Sequence, residues 1–359
     1  MSDTSANALA GDLDHVLAHT GDVWNALRGA RLFITGGTGF FGCWLLESLL
    51  WANDHLDLNM GAHVLTRDAG AFARKAPHLA AHPSITLWNG DVRSFEFPDG
   101  EFSHVIHAAT PASVAFNVGE PLAMLDTVVE GTRRTLELAK QSGAKKFLLT
   151  SSGAVYGRQP EELTHVGEDY PGAPDPTDAR SAYGHGKRVA EFLCALSHHQ
   201  HGLDATIARC FAFVGPHLPL DGAFAVGNFL RDGLAGGSIV VGGDGTPRRS
   251  YLYASDLMIW LWTILEHGTP ARPYNVGSED DLSIEELART VASRFEPLCA
   301  VSVAKVPAPG ARIERYVPST RRAQDELGLR QRITLTQGLD RTLEWIGSKP
   351  GSPSRTTAN

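Results

Sequence analysis

Residues 31–42 read RLFITGGTGFFG, a short apolar run that stops at a cluster of glycines, and residues 43–51 continue as an apolar stretch with helical character. The glycines are spaced Gly-x-x-Gly-x-x-Gly. A glycine turn between a strand and a helix lets the backbone approach a pyrophosphate, whose charge then meets the helix N-terminus. The stretch therefore predicts a dinucleotide-binding turn. Its expected cofactor contacts are Gly36, Gly39, Phe40, Phe41 and Gly42.

Further strand-like runs lie at residues 62–66, 104–109, 145–152 and 205–211, with helical patterns between most of them. Strands that alternate with helices form βαβ units and hence a mostly parallel sheet covered on both faces. After residue 211, glycine and proline become frequent and the segments become short. We therefore predict an α/β fold, namely a Rossmann-type doubly wound parallel sheet with a smaller, loop-rich C-terminal substrate lobe.

The same changes of texture predict how the chain is divided. We expect an N-terminal helical extension at 1–29, and a disordered tail at 348–359 where the sequence is polar and rich in proline and glycine. The dinucleotide-binding domain is expected at 30–210 plus 250–276. The substrate lobe is expected at 211–249 plus 277–347.

Composition narrows the possible partners of the protein. The chain has 359 residues, 43% of them apolar, and a formal net charge of −8. This acidic balance argues against nucleic acid and anionic membranes as partners. No apolar run approaches the about 20 residues of a membrane span, and the N-terminus has no secretory pattern. The four cysteines lie far apart, which favours buried thiols and a cytoplasmic location.

The end of the second predicted strand bears on the choice between NAD and NADP. An acidic residue there hydrogen-bonds the ribose hydroxyls, whereas an arginine accommodates a 2′-phosphate. The chain reads Thr66-Arg67-Asp68, which slightly favours NADP, while Asp68 keeps NAD open. Asp91, after the next strand, is either a contact for the adenine amino group or an ordinary turn residue.

A second signal is Tyr183-x-x-x-Lys187 in the run SAYGHGK. Two residues four apart on a helix lie on one face. A phenol is a poor base at neutral pH, but a neighbouring ammonium and an oxidised nicotinamide ring would favour the phenolate. We therefore expect Tyr183 to move the proton of a substrate hydroxyl while a bound cofactor exchanges a hydride.

Together these motifs resemble the extended short-chain dehydrogenases/reductases, in particular the nucleotide-sugar (NAD-dependent) epimerase/dehydratase family. The resemblance covers roughly residues 31–345. It is carried by TGGTGFFG (35–42), GDV (90–92), VIHAAT (105–110), SSGAVYG (151–157), YGHGK (183–187), GDGTPRRSYLYASDL (243–257) and YNVGS (274–278).

The resemblance implies roles for several residues. Ser152 would share the hydrogen bond of the substrate hydroxyl with Tyr183. Arg249 would grip the diphosphate of a nucleotide sugar, and Asn228 would contact the same phosphates or the nucleoside. Further cofactor contacts are implied at Val92, Ala108, Ala109 and Thr110. Relatives of this kind are usually homodimers joined through two helices, here near 122–140 and 183–198.

The reaction expected first is oxidation or reduction at C4 of a nucleotide-diphosphate hexose, by a 4-epimerase or a 4-ketoreductase. Dehydratases of the resembling family carry an Asp-Glu pair where this chain has Gly153 and Ala154, and decarboxylating members keep the Glu. An NDP-sugar 4,6-dehydratase or a UDP-glucuronate decarboxylase-like enzyme is the alternative, because GDGTPRRSYLYASDL looks close to the decarboxylases. A non-catalytic NAD(P)-binding sensor is remote. No metal site is expected.

Overall fold

The structure, a computed structural model, describes residues 7–110, 114–222 and 224–348. The predicted tail at 348–359 lies outside these residues except for Ser348. The strands in chain order are β1 (Arg31–Thr35), β2 (Gly61–Thr66), β3 (Ile85–Asn89), β4 (His104–His107), β5 (Lys146–Ser152), β6 (Asp204–Cys210), β7 (Phe213–Val214), β8 (Ile239–Val241), β9 (Arg248–Ser250), β10 (Leu252–Tyr253), β11 (Pro273–Val276), β12 (Asp281–Ser283), β13 (Val301–Val303) and β14 (Arg315–Tyr316).

Helices connect the strands and cover the sheet. In chain order they are α1 (Ala10–His19), α2 (Val23–Ala26), α3 (Phe40–Leu56), α4 (Ala69–Lys75), α5 (Pro77–Ala80), α6 (Val114–Gly119), α7 (Pro121–Gln141), α8 (Ala182–His201), α9 (Ala225–Leu234), α10 (Ala254–His267), α11 (Ile284–Ala292), α12 (Arg321–Leu327) and α13 (Leu335–Gly347). None of them, within the part of the chain that the structure describes, is long and apolar enough to cross a membrane.

A seven-stranded parallel sheet forms the centre of the fold, in the order β3-β2-β1-β4-β5-β6-β11. The side chains of β1 alternate between its two faces, as strand geometry requires. Leu32 and Ile34 join the apolar core that contains α3 and α10, whereas Phe33 joins the core that contains α7 and α8. The sheet is therefore covered on both faces, and the predicted doubly wound α/β fold is confirmed.

Smaller sheets build the lobe beside the carboxyl ends of the central strands. β9 pairs with β12 and with β14, β7 pairs with β10, and β8 pairs with β13. β14 runs parallel to β9 and places Tyr316 opposite Arg249. A third core cluster, which includes Phe229, Ile239 and Leu287, fills this lobe. The exact division of the chain into domains remains a prediction.

The N-terminal extension packs across the fold. The buried carboxylate of Asp12 in α1 accepts a hydrogen bond of 2.6 Å from the Tyr253 hydroxyl and a second from the Arg341 guanidinium. His15 Nε2 lies 3.2 Å from Asp256 Oδ1, and Trp24 packs 5.2 Å from Trp262 between ring centroids. Helix α1 therefore connects α10 and α13 through hydrogen bonds, and its local sequence does not predict this role.

Beneath the carboxyl end of β4 lies a buried polar network centred on His107. Its ring nitrogens contact the hydroxyls of Thr35 at 2.7 Å, Thr132 at 3.1 Å and Thr135 at 3.3 Å. The Thr35 hydroxyl also accepts the backbone N–H of Ala109 at 3.2 Å, at the edge of the predicted cofactor site. Burial, with a smaller effect of Lys187, lowers the pKa of His107 from 6.5 to about 3.

This depressed pKa makes the stability of the fold depend on pH. Between pH 6.5 and 3 the unfolded chain binds a proton at His107 that the folded chain does not, so the free energy of unfolding falls as pH falls through this window. The contribution from this residue between pH 7 and pH 5 is about 2 kcal/mol. We expect His107→Gln, measured by urea unfolding at both pH values, to lose about that much of the wild-type difference. An unchanged difference would contradict this account.

Candidate active site

The glycine turn after β1 has the geometry of a pyrophosphate cradle. Gly36 has a φ of +73°, and a Cβ atom there would lie 2.5 Å from the backbone carbon and oxygen of Ala108. Gly39 begins α3 with no side chain capping the helix. An anion suits such a helix N-terminus because its first N–H groups have no partner within the helix. The turn therefore fits a dinucleotide, and Phe40, Phe41 and Gly42 form the first turn of α3.

The wall opposite this turn comes from the segment after β4. Ala108, Ala109 and Thr110 are half-buried there, and the Thr110 hydroxyl accepts a hydrogen bond of 2.8 Å from Lys187 Nζ. Phe41 packs edge-on against Phe213 at 5.1 Å between centroids. The structure thus brings the predicted contacts from β1, β4 and α8 to one edge of the sheet.

The end of β2 and the residues after it hold the side chains that bear on the choice of cofactor. Thr66 is 6% exposed, Arg67 is exposed, and the Asp68 carboxylate caps α4 by accepting the Ala71 N–H at 2.8 Å. The Asp91 carboxylate is held by Arg93, which donates through Nε at 2.8 Å and lowers its pKa. Both acids therefore have partners within the protein. Val92, next to Asp91, is buried against α7.

Ser152, Tyr183 and Lys187 meet at the carboxyl end of β5. Ser152 is the last residue of β5, and its Oγ accepts the Ala154 N–H at 3.1 Å. Its hydroxyl acts on the pKa of Tyr183 in the lowering direction, against burial. Lys187 is 2% exposed and donates to the Thr150 carbonyl at 2.7 Å as well as to Thr110. The predicted catalytic residues therefore form one cluster.

Burial dominates the electrostatics of this cluster. It raises the pKa of Tyr183, and the opposing effect comes from Ser152. Lys187 Nζ lies 5.8 Å from the centre of the Tyr183 ring and is directed to Thr110 and Thr150. Burial also lowers the pKa of Lys187 from 10.5 to about 8. The lysine alone therefore does not prepare the phenolate.

Two aromatic residues that the sequence did not single out complete the site. The Tyr316 hydroxyl lies 3.2 Å from Ser152 Oγ, and the Tyr316 ring packs 4.7 Å from Phe211 between centroids. A Cβ atom on Gly153 would lie 2.7 Å from Phe211 and 2.9 Å from the Tyr316 hydroxyl. A side chain at the position where related dehydratases carry an aspartate would therefore have to displace Phe211 and Tyr316 in this protein.

The predicted substrate residues lie on the smaller lobe. Arg249, on β9, is partly buried, and its guanidinium carbon lies 5.7 Å from the centre of the Tyr316 ring. Asn228, on α9, donates to the Gly222 carbonyl at 3.0 Å and accepts from Arg231. The structure thus joins Arg249 to the catalytic cluster through Tyr316, and it places Asn228 against the loop before α9.

Across residues 7–110, 114–222 and 224–348 there is no group of three or more His, Cys, Asp or Glu side chains placed to hold a metal ion. The three histidines 198, 199 and 201 stand in the last turn of α8, where cationic side chains suit the helix dipole.

A parallel sheet with a glycine turn after β1 and a Ser–Tyr–Lys cluster after β5 defines a dinucleotide-dependent oxidoreductase of the extended short-chain dehydrogenase/reductase kind. Residues 32–277 match the model of the "NAD dependent epimerase/dehydratase family". The chain belongs to this family and is an enzyme of that kind. The resemblance inferred from the motifs is thereby confirmed.

Named relatives refine the comparison. The chain is 32% identical over 326 residues to UDP-glucuronic acid decarboxylase 6 of Arabidopsis thaliana, covering 90% of this chain and 91% of the relative. It resembles the crystal structure of DesIV, a dTDP-glucose 4,6-dehydratase from Streptomyces venezuelae with NAD bound, at 25% identity and a TM-score of 0.72, over 88% of this chain and 96% of the other. UDP-N-acetylglucosamine 4-epimerase from Methanobrevibacter ruminantium shares the fold, with a TM-score of 0.75, 22% identity and coverage of 88% and 97%.

These relatives bear on two open choices, between a decarboxylase and a C4 epimerase and between NAD and NADP. The sequence relatives named above and their paralogues are UDP-glucuronic acid decarboxylases, so they support the decarboxylase-like alternative more than a C4 epimerase. The family description and the DesIV structure name NAD, and neither supports a preference for NADP.

Proposed function

We propose that this enzyme oxidises C4 of a UDP-linked hexuronate or hexose, and that decarboxylation of UDP-glucuronate is its main reaction. The observation that carries the oxidation step is the meeting of Ser152, Tyr183 and Lys187 beside the glycine turn. The decarboxylation step is supported by the 32% identity to a UDP-glucuronic acid decarboxylase across 90% of the chain.

Each residue of the cluster has a defined task in this proposal. The nicotinamide cofactor, when bound, takes a hydride from C4 and later returns it. Tyr183 accepts the proton of the C4 hydroxyl and gives it back. Ser152 hydrogen-bonds the same oxygen. Lys187 has three donors, of which two serve Thr110 and Thr150, and the third would hold the nicotinamide ribose of a bound cofactor.

A ketone at C4 explains why the site can release carbon dioxide without an added carboxylate. The C6 carboxylate of a hexuronate is then β to the ketone, so the C5–C6 bond breaks and its electron pair moves toward the C4 oxygen. Ser152 and Tyr183 stabilise the charge that develops on that oxygen by hydrogen bonds. A proton from water at C5, and return to C4 of the hydride removed in the oxidation, would complete the conversion to a UDP-pentose.

C4 epimerisation is the second candidate, and Gly153 and Ala154 favour it. The acid pair of the dehydratases is absent, and a side chain at position 153 would have to displace Phe211 and Tyr316. The site is therefore poorly suited to eliminate water across C5 and C6. Simple return of the hydride to the other face of the C4 ketone needs only Ser152, Tyr183 and the cofactor.

A single set of incubations separates these candidates. Purified protein with catalytic NAD is given UDP-glucuronate, UDP-glucose or UDP-N-acetylglucosamine, and the sugars are separated while released carbon dioxide is measured. Carbon dioxide with a UDP-pentose from UDP-glucuronate supports the main proposal. A C4 epimer without carbon dioxide supports the second candidate. Release of a 4-keto-6-deoxy sugar would overturn both.

For the cofactor site, we propose that Arg67 allows it to bind NADP as well as NAD. Arg67 is exposed beside the uncharged Thr66, while Asp68 is engaged in capping α4. We expect Arg67→Ser to weaken NADP binding about 10-fold, since one charge-assisted phosphate contact is lost, and to change NAD binding less than twofold. Calorimetric titration with both cofactors measures this. Equal losses for the two would refute a role at the 2′-phosphate.

We also propose that the protein is a homodimer joined through α7 and α8. Leu122 on α7 and Phe192 on α8 are 69% and 62% exposed. The two helices pack against each other, so these side chains offer apolar surface that a second copy can cover. We expect Phe192→Glu to shift the mass measured by light scattering from two chains to one. The exposed Val306 outside these helices, replaced by Glu, is the matched control and is expected to leave the mass unchanged.

A further inference from the structure

Tyr316 reaches the catalytic cluster from the smaller lobe and has no role in the reaction described above. Its hydroxyl lies 3.2 Å from Ser152 Oγ, across 164 residues of sequence, and 3.4 Å from the carbonyl oxygen of Cys210. We propose that Tyr316 is a positioning residue. Its hydroxyl donates a hydrogen bond to Ser152 Oγ and thereby directs the single O–H of Ser152 toward Tyr183 and the substrate oxygen.

The hydrogen-bonding capacity of a serine carries this inference. A serine hydroxyl has one proton to donate and two lone pairs that accept. The Ala154 N–H occupies one lone pair of Ser152 at 3.1 Å. When Tyr316 occupies the other, the proton of Ser152 has only Tyr183 or the C4 oxygen left as acceptors. Without Tyr316 the serine hydroxyl can rotate and present a lone pair to the substrate instead.

The Tyr316 hydroxyl has a second possible acceptor, the Cys210 carbonyl, which is the weaker of the two. The Cys210 carbonyl is farther away than Ser152 Oγ, and both contacts are longer than the about 2.8 Å typical of a strong O–H···O bond. Burial raises the pKa of Tyr316 to about 12, against smaller lowering effects of Ser152 and Arg249. The phenol therefore keeps its proton at neutral pH and remains a donor.

The placement of Tyr316 links substrate binding to this orientation. Tyr316 pairs with Arg249 in the β9–β14 register, and the Arg249 guanidinium lies beside the Tyr316 ring. Phe211 packs against the same ring at 4.7 Å between centroids and lies next to Gly153. The strand pair that offers Arg249 to the diphosphate therefore also holds the hydroxyl that orients Ser152. The inference rests on the proposed oxidation at C4 and applies to either fate of the ketone.

The test is a double-mutant cycle with Tyr316→Phe and Ser152→Ala, measured on whichever UDP-sugar the enzyme converts. The phenylalanine keeps the ring packed on Phe211, so the fold is expected to survive. We expect Y316F to lower kcat/KM about 10-fold, as the loss of a hydrogen bond worth about 1.4 kcal/mol predicts. In the S152A background the same substitution is expected to have less than a twofold effect.

The pH profile of kcat/KM distinguishes this positioning role from a purely structural one, because a purely structural role would leave the profile unchanged. The hydrogen bond from Ser152 acts to lower the pKa of Tyr183. If this hydrogen bond is weaker in Y316F, the part of the kcat/KM profile that reports the ionisation of Tyr183 should move to higher pH. Tyr170→Phe is the matched control, because Tyr170 packs against Tyr156 and lies outside the catalytic cluster. It is expected to match the wild-type profile.

Additive effects in the cycle, or wild-type activity in Y316F, would overturn the inference while leaving the proposed function intact. If the wild type converts no sugar, the proposed function fails. The double-mutant cycle is then measured as binding affinities instead of rates. Calorimetry with UDP-glucose and with UDP should show Y316F weakening only the UDP-glucose complex, and only when Ser152 is present. Equal weakening with Ser152 absent, or weakening of UDP itself, would overturn the inference.

Discussion

Replacing Tyr183 by Phe is expected to lower kcat/KM about 1,000-fold. The substitution removes only the hydroxyl that exchanges a proton with the C4 oxygen, and general acid–base catalysis of this kind contributes 10²–10⁴-fold. The loss corresponds to about 4 kcal/mol of transition-state stabilisation. Product formation from the UDP-sugar, followed by chromatography, measures the change.

The structure predicts that this loss is confined to the reaction. The Tyr183 ring remains in its place against the core beside α8, so the melting temperature and the affinity for NAD are expected to change little. Tyr170→Phe removes a hydroxyl outside the cluster and serves as the control. A Y183F enzyme with more than a tenth of wild-type turnover would remove the phenol from the mechanism.

Replacing Gly36 by Ala is expected to abolish cofactor binding and to destabilise the fold. The residue has a φ of +73°, and its new methyl group would lie 2.5 Å from the Ala108 backbone, which no side-chain rotation can relieve. The left-handed backbone alone costs about 1–2 kcal/mol for a residue with a Cβ atom, and the clash adds to it. We expect a total of about 3 kcal/mol, a melting temperature lower by about 5 °C, and NAD affinity reduced at least 100-fold.

Gly39→Ala separates the two effects in the same turn. Gly39 has a φ of −82°, and its methyl group would meet only the Gly36 carbonyl at 3.4 Å. The variant is therefore expected to melt within about 1 °C of the wild type. Its methyl group would nevertheless stand at the open N-terminus of α3, where it would hold a pyrophosphate away, and NAD affinity should fall more than 10-fold. Unchanged affinity would show that the phosphates bind elsewhere.

Local features of the chain were predictable because they depend on neighbouring residues. β1 spans Arg31–Thr35, the apolar run that stops at the glycines, because such a run in an alternating α/β chain favours a strand. The capping box of Ser283 and Glu286 forms as its spacing indicates. The cluster of Tyr183 and Lys187 follows from the helix period.

Two details of the site depend on packing. Burial raises the pKa of Tyr183, and the opposing effect comes from Ser152, while the joint effect of the lysine and a bound nicotinamide stays a prediction. The Asp68 carboxylate caps α4, and its contact with a ribose also stays a prediction. Desolvation and the choice of hydrogen-bond partner depend on the surrounding atoms, and no pattern within a short segment specifies them.

The sequence by itself determined the sheet, the glycine turn, the Tyr–Lys pair and the family, because each is encoded in contiguous residues with a fixed period. Only the tertiary structure decided that Tyr316 and Phe211 close over Gly153 and that Tyr316 reaches Ser152 from 164 residues away. Such contacts arise when the smaller lobe folds against the carboxyl edge of the sheet. Their distances depend on the packing of the whole chain, so local sequence cannot supply them.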